Sequence, residues 1–416
     1  MSLPNQPGAG RAWAVTFAGT GINLCLGVLY TWSVFAAALI NQLGWSKTAS
    51  AIPYTIACVV FAIAMVPAGR LVDKIGPRWV ATIGGIFAGG GLILSGLFGN
   101  SFQVLAITFG VIVGIGLGFG YAAPTPAAVK WFKPHMKGQI SGLVVAGFGL
   151  ASVYIAPMTN AFIKSFGVIH SFYVEGLIFL IATVILAQVL SFPPSGYQPV
   201  GGQPPATRAA AAAASKRDFS PTEMLATPQF YLLWLMYAFT ASAGLMIIGH
   251  LAKIAEIQAG IKWGFAFVAV LAVANAGGRI LAGWLSDKLG RTNTMLLVFL
   301  IQAANMFMFA SYRSVGALLV GAILTGIAYG SLLSLFPSAT YDFFGLKHAG
   351  VNYGWVFTAW GAGSLIGPII AGRMADLYKV YNNAYLISAV LLLVAAVMAL
   401  VTRPPKVPVA DTSVKA

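Results

Sequence analysis

Gly69-Arg70-Leu71-Val72-Asp73-Lys74-Ile75-Gly76-Pro77-Arg78 returns as Gly283-Trp284-Leu285-Ser286-Asp287-Lys288-Leu289-Gly290-Arg291, with Gly, Asp, Lys and Gly repeated at one offset, from 69 to 283 and from 73 to 287. Glycine at either end of a short connection lets two helices turn sharply and pack closely. The Asp between them can accept hydrogen bonds from a neighbouring helix N-terminus or a basic side chain. A repeat of this kind divides the chain into two halves of parallel construction.

The material on either side of each copy is strongly apolar. Of 416 residues, 59% are hydrophobic and only 8% charged, with mean hydropathy +0.85. Soluble domains carry about a quarter charged residues, so the chain reads as a polytopic membrane protein whose partner is the lipid bilayer. A net charge of +15 would suit nucleic acid, but the 24 basic residues are scattered singly between apolar runs, which excludes a nucleic-acid face. Cys25 and Cys58 lie inside apolar runs without metal or disulfide spacing and read as small buried hydrophobes. The polar start, residues 1–10, precedes an apolar run too long for a signal h-region, so that run is expected to be a retained span.

A spanning helix needs about 20 apolar residues. Breaking the chain at its charge and proline clusters gives twelve, near 13–40, 50–69, 79–98, 103–127, 139–162, 171–190, 229–250, 263–285, 293–312, 315–339, 350–372 and 383–402. The expected fold is all-α, twelve transmembrane helices in two six-helix bundles. Residues 1–190 form the first bundle, 191–226 a linker rich in Pro, Gly and Ala, and 227–416 the second bundle with its tail. Alternate loops collect sixteen Lys and Arg on one side and seven on the other, which puts both termini in the cytoplasm.

One basic residue belongs to neither side. Arg279, in Ala274-Asn275-Ala276-Gly277-Gly278-Arg279-Ile280-Leu281, lies inside an apolar run. An ionisable group at that depth costs from about 3 to over 10 kcal/mol, so it is a functional-site candidate unless an acidic neighbour or helix-end carbonyls merely hold it. At 1.5 Å per residue it stands roughly 12 Å from Asp287, near mid-bilayer. Of nine acidic residues, Asp73, Asp287 and Asp342 fall in loops on the basic side, and Asp218, Glu223 and Asp411 in the linker or tail. Glu256 and Asp376 fall in outer loops, which leaves Glu175, near the start of span six, as the one marginally intramembrane acid. An unpaired guanidinium facing a central cavity suits an anion, since its planar fork matches a carboxylate. Asn275, one turn away on the same face, can bond the bound molecule or another helix. Paired carboxylates, a metal cluster and a phosphate loop are all missing from the sequence, so neither an enzyme nor a cofactor or metal is expected.

The paired loops resemble the signature loop of the major facilitator superfamily, and the twelve-span chain fits its fold. A narrower resemblance lies in Asp218-Phe219, Glu223-Met224-Leu225-Ala226-Thr227-Pro228-Gln229-Phe230 and Leu233-Trp234, in Trp131-Phe132-Lys133-Pro134 with Gly138 and Ser141-Gly142, and in Asn352-Tyr353-Gly354. These are similar to the oxalate/formate antiporters and to bacterial relatives of the monocarboxylate transporter family, solute carrier family 16. The resemblance implies two bundles rocking around a central site, with Gly69, Arg70, Asp73, Arg78, Gly283, Asp287, Lys288 and Arg291 latching the cytoplasmic gate. It also implies an aromatic cage of Tyr30, Tyr121, Tyr329 and Phe357 around an anion held by Arg279, with Leu29 a further apolar neighbour.

Two departures narrow the expectation. Trp360 stands where the oxalate exchangers have a second cation, a lysine, and a single cation suits a monoanion, because a dianion would keep an uncompensated charge in a low dielectric. Asn275 and the uncharged Leu29-Tyr30-Thr31-Trp32 stand where mammalian relatives have an aspartate and a lysine, so their proton relay does not carry over. His250, Glu256 and Glu175 are the remaining candidates for a coupled proton. The expected activity is proton-coupled symport of a short monocarboxylate such as L-lactate or pyruvate across the inner membrane, by a monomer. The alternatives are a carboxylate exchanger without proton coupling and a membrane sensor that binds the acid without moving it.

Overall fold

A computed structural model of the chain describes residues 8–201, 218–261, 263–378 and 380–405. The alanine run of the linker and the basic tail lie outside these residues, as do seven of the basic residues counted for orientation. Among the described residues the structure is helical, apart from a single β-bridge between Phe132 and Val200. The spans are α1 (Ala9–Leu43), α2 (Lys47–Ile75), α3 (Pro77–Phe98) and α4 (Phe102–Val129). The run Lys137–Ala187 is broken at Gly167 (φ 79°, ψ 167°) into α5 (137–166) and α6 (168–187). Then follow α7 (Pro228–Ala259), α8 (Phe265–Leu289), α9 (Arg291–Phe309), α10 (Val315–Phe344), α11 (Ala349–Tyr378) and α12 (Asn382–Val401). Twelve spans in two six-helix bundles are thus present, with large apolar side chains such as Phe98, Ile185, Leu377 and Val397 exposed on the outside, as a bilayer requires.

Local chemistry sets the breaks. Ser46, Ser101, Thr227 and Ser314 each cap the N-terminus of the helix that follows, and Pro228 takes the first helical position of α7. Gly76 (φ 87°) and Gly290 (φ 91°) each turn one helix directly into the next, a backbone conformation that favours glycine. Because each turn is a single residue, Asp73 and Asp287 lie in the last helical turns of α2 and α8, not in loops as the repeat suggested. Asp342 is likewise helical, near the end of α10. α7 runs on to Ala259, which puts Glu256 on a helix, and α6 begins at 168, which carries Glu175 two turns into its span.

The two halves meet chiefly along two pairs, α2 with α11 and α5 with α8, with α10 also touching α5. Both interfaces are built on glycine. Gly138, Gly142 and Gly149 of α5 lie against Gly283, Arg279 and Ala276 of α8; Gly350, Gly354 and Gly361 of α11 lie against Gly69, Met65 and Ala62 of α2. A Cβ at Gly69 would strike the Gly350 carbonyl oxygen, and one at Gly283 would strike that of Gly138. Backbones approach this closely only where side chains are absent.

The described ends of the linker are each tied to one half. Val200 exchanges backbone hydrogen bonds with Trp131 (3.0 Å) and Lys133 (2.9 Å), and the Trp131 indole donates to the Ser191 carbonyl at 2.8 Å. Phe219 donates to the Phe344 carbonyl at 2.9 Å, while Asp218 accepts from the amides of Leu346 and Lys347. Lys130, half-buried over the Phe192 ring at 3.8 Å, is pushed below the usual lysine range by desolvation, against the opposing pull of Asp73 and Asp218.

Candidate functional site

Arg279 has no exposed surface. Its Nε donates to Asn275 Oδ1 at 3.0 Å, one amine group donates to the Val145 carbonyl oxygen, and the other donates to the Tyr30 hydroxyl at 3.2 Å. Asn275 is on its own helix, but Val145 and Tyr30 belong to the other half. The glycine face of α5 makes the Val145 contact possible: a Cβ at Gly149 would stand 3.0 Å from Arg279 Nε. Tyr30 is placed by a 3-10 stretch, Gly27–Thr31, in the middle of α1. Among the described residues no carboxylate pairs with Arg279, so its charge is met only by dipoles.

Sequence reasoning expected this guanidinium to face an open cavity. The structure closes the two halves over it, because α5 and α8 touch through backbone on one side and the Tyr30 hydroxyl covers the other. Asn275, expected to bond either the bound molecule or another helix, orients the guanidinium in this structure by accepting from Nε.

A continuous aromatic layer surrounds this point. The Tyr30 hydroxyl donates to that of Tyr329 at 3.4 Å, and Tyr329 also accepts from the Trp360 indole at 2.8 Å. Phe148 lies under the guanidinium, 5.9 Å from its ring centroid, and contacts Tyr30 and Tyr121, each at 5.3 Å. Phe357 stacks on Trp360 at 5.2 Å and meets Phe61 at 5.1 Å and Tyr121 at 5.5 Å. Tyr30, Tyr121, Tyr329 and Phe357 are therefore brought together with Arg279. Leu29 is buried next to Tyr30, outside the bonded cluster. Phe61 and Phe148 are members that sequence reasoning missed; each is one aromatic in an apolar helix, with no charge or breaker to mark it.

The repeated loops meet the other half at the face that carries both ends of the described chain. Asp287 accepts from the amides of Gly138 (3.0 Å) and Gln139 (2.7 Å) at the start of α5. Asp73 accepts from those of Gly350 (3.2 Å) and Val351 (3.1 Å) at the start of α11. Each carboxylate thus sits on the positive end of a helix from the opposite half. Arg291 reinforces one of these ties, pairing with Asp287 and Asp342 at 2.7 Å each, while Asp342 also pairs with Lys137 at 3.0 Å. Arg70 is exposed, Arg78 bonds Gln188 within its own half, and Lys288 lies over the Trp284 ring, so these three stand outside the ties.

The Major Facilitator Superfamily model matches residues 14–313 and 268–416. The chain belongs to the major facilitator superfamily. It is a membrane transporter and not an enzyme. An oxalate:formate antiporter of Oxalobacter formigenes is 30% identical, over 91% of this chain and 88% of that one. Monocarboxylate transporter 2 of Rattus norvegicus is 25% identical, over 96% of this chain and 84% of its own. Among solved structures, the major facilitator FucP in its outward conformation matches with a TM-score of 0.71 at 15% identity, covering 94% of this chain and 99% of that one. Relatives and fold together identify a facilitator whose kin include carriers of small organic anions.

The three proton-coupling candidates have different surroundings, His250 and Glu256 on α7 and Glu175 on α6. Glu256 is exposed and paired with Lys253 at 2.8 Å. His250 has its ring nitrogen 3.1 Å from the Met246 carbonyl and packs on Tyr381 at 5.4 Å. Glu175 is fully buried: Oε1 accepts from the Thr159 hydroxyl of α5, and Oε2 has no partner.

Proposed function

We infer that this facilitator moves a short-chain monocarboxylate of the L-lactate or pyruvate type together with a proton, by alternating access across the inner membrane. The observation that carries the reading is the Arg279 guanidinium, fully buried and bonded only to neutral groups. Three of its five N–H donors are engaged, and a carboxylate would supply the missing charge with two acceptor oxygens. The Tyr30 bond is the one to exchange for substrate, since it crosses between the halves and is made by a side chain. Trp360, where a second cation would stand, keeps the site to one negative charge.

With the basic face cytoplasmic, as loop charge favours, Asp73 and Asp287 hold the cytoplasmic gate shut from a monomer's own two halves. Glu175 is the group best suited to carry the proton: a carboxyl buried at membrane depth, with one oxygen bonded to the Thr159 hydroxyl and the other without a partner among the described residues. A second reading, exchange of carboxylates without proton coupling, is favoured by the 30% identity to the oxalate:formate antiporter.

Proteoliposomes test both. Accumulation of radiolabelled L-lactate or pyruvate driven by an imposed pH gradient, with nothing inside, supports symport. Uptake that requires internal carboxylate and ignores the gradient selects exchange. Binding without uptake would leave only a sensor.

A further inference from the structure

Apart from Tyr197 near the linker, four tyrosine hydroxyls are buried without a close hydrogen-bond partner among the described residues: that of Tyr121, which belongs to the Arg279 layer, and those of Tyr237, Tyr341 and Tyr353. The four residues are at most 3% exposed and come from α4, α7, α10 and α11, so both halves contribute. Their rings are contiguous. Phe357 touches Tyr121 at 5.5 Å, Tyr353 at 5.7 Å and Tyr237 at 6.2 Å, and Tyr353 touches Tyr341 at 6.2 Å. The hydroxyls of Tyr121 and Tyr237 both turn toward that of Tyr353, at separations too long for well-made hydrogen bonds.

Their heights form a ladder. Tyr121 is eight residues from the end of α4 and Tyr237 nine from the start of α7, so both Cα atoms lie about 12–14 Å from the terminal face at 1.5 Å per residue. Tyr353, four residues into α11, and Tyr341, three from the end of α10, lie about 5–6 Å from it on the same scale. The ladder runs from the Arg279 layer to the face closed by Asp73 and Asp287.

A buried hydroxyl without a partner is costly, and several phenol donors converging without an acceptor leave a place for an anion. We propose that Tyr237 and Tyr353, next to Tyr121 of the Arg279 layer, form a second carboxylate station between Arg279 and the cytoplasm, loaded when the halves part at that face. It rests on the carboxylate reading above. A carboxylate leaving Arg279 trades one charge-assisted contact for two or three phenol hydrogen bonds, weaker singly than the guanidinium fork, so the anion is passed on and not trapped.

Tyr237→Phe and Tyr353→Phe keep each ring and remove only the hydroxyl. Radiolabelled L-lactate and pyruvate transport is measured in right-side-out and inverted membrane vesicles, which present the outer and cytoplasmic faces. Each variant is expected to raise the KM at the cytoplasmic face about tenfold, the effect of removing one hydrogen bond to a charged group, and to leave the outer KM within about twofold. An unchanged cytoplasmic KM, as expected if the hydroxyls hold only water, overturns the station. Equal rises at both faces overturn it too, since they mark a structural effect. Absence of carboxylate transport by the unmodified protein would instead remove the reading on which it rests.

Discussion

Arg279 occupies in the second half the place that Met65 occupies in the first: the carbonyl oxygen of each lies against a glycine of the opposite half, Gly142 for Arg279 and Gly354 for Met65. The relation extends around them. Gly138, Gly142 and Gly149 recur 212 positions later as Gly350, Gly354 and Gly361, and the same shift carries Phe148 to Trp360 and Val145 to Phe357. The 214-residue offset of the loops carries Phe61 to Asn275. One interface has thus become polar, with a cation, an amide and an available carbonyl, while its counterpart is aromatic. A carboxylate with a short apolar end would be oriented by that division.

The first prediction concerns the polar side. Arg279→Lys keeps the charge but loses the planar fork that reaches Asn275, Val145 and Tyr30 together. Losing one or two charge-assisted bonds at about 1.5–3 kcal/mol each lowers carboxylate uptake on the order of a hundredfold, and Arg279→Ala at least as much. Met65→Leu, at the equivalent place, leaves uptake within about twofold, as volume-conserving apolar swaps do. Initial rates in proteoliposomes, normalised to inserted protein, check this; near-normal transport by Arg279→Lys would dismiss the assignment.

The aromatic side sets the charge count. Trp360→Lys is expected to shift preference from lactate towards oxalate by about tenfold or more, because a second cation offsets the desolvation of a second carboxylate. Trp360→Gln removes similar bulk without adding charge and separates the two effects. The readout is the ratio of oxalate to lactate uptake in competition, and an equal shift in both variants would assign it to pocket volume.

The ties at the terminal face are unequal. Asp287 shares Arg291 with Asp342, which also pairs with Lys137, whereas Asp73 holds only the α11 amides among its described bonds. Asp287→Asn is therefore expected to open this face more than Asp73→Asn, by about tenfold in accessible fraction, because it also weakens the ion pair with Arg291. Thiol labelling of Ser338→Cys, a buried position on α10, measures the opening. Greater labelling in the Asp73 variant would reverse the ranking.

Much of this was legible in the sequence, and the misses have physical causes. Arg279 stood out because a charge in an apolar run is expensive, and the paired loops stood out because Gly and Asp interrupt helices. Phe61 and Phe148 did not, because 27 phenylalanines in an apolar chain look alike until packing separates cage from lipid face. The glycine triplets at 138 and 350 were present in the sequence, but among 48 glycines their shared spacing acquires meaning only from the backbone they admit. Span ends shifted where one glycine with positive φ replaced an expected loop, which is how Glu175 moved from the edge of its helix to its interior.

Glu175 gives the last prediction. Glu175→Gln copies the neutral carboxyl in shape and still accepts from Thr159, so insertion and folding are retained. An amide cannot release a proton, so accumulation driven by a pH gradient is lost, while lactate/pyruvate exchange, which needs no net proton movement, continues near the rate of the unmodified protein. Its transport also loses the pH dependence that a titrating Glu175 would impose. A hydrophobic carbodiimide, which attacks protonated carboxyls in apolar surroundings, should modify Glu175 in the unmodified protein and inhibit accumulation in parallel, and peptide mass spectrometry locates the adduct. Thr159→Val removes the one hydroxyl bonded to the carboxyl and should slow accumulation without affecting exchange. Full gradient-driven accumulation by Glu175→Gln would place the proton elsewhere, and His250→Gln would be the next variant to measure.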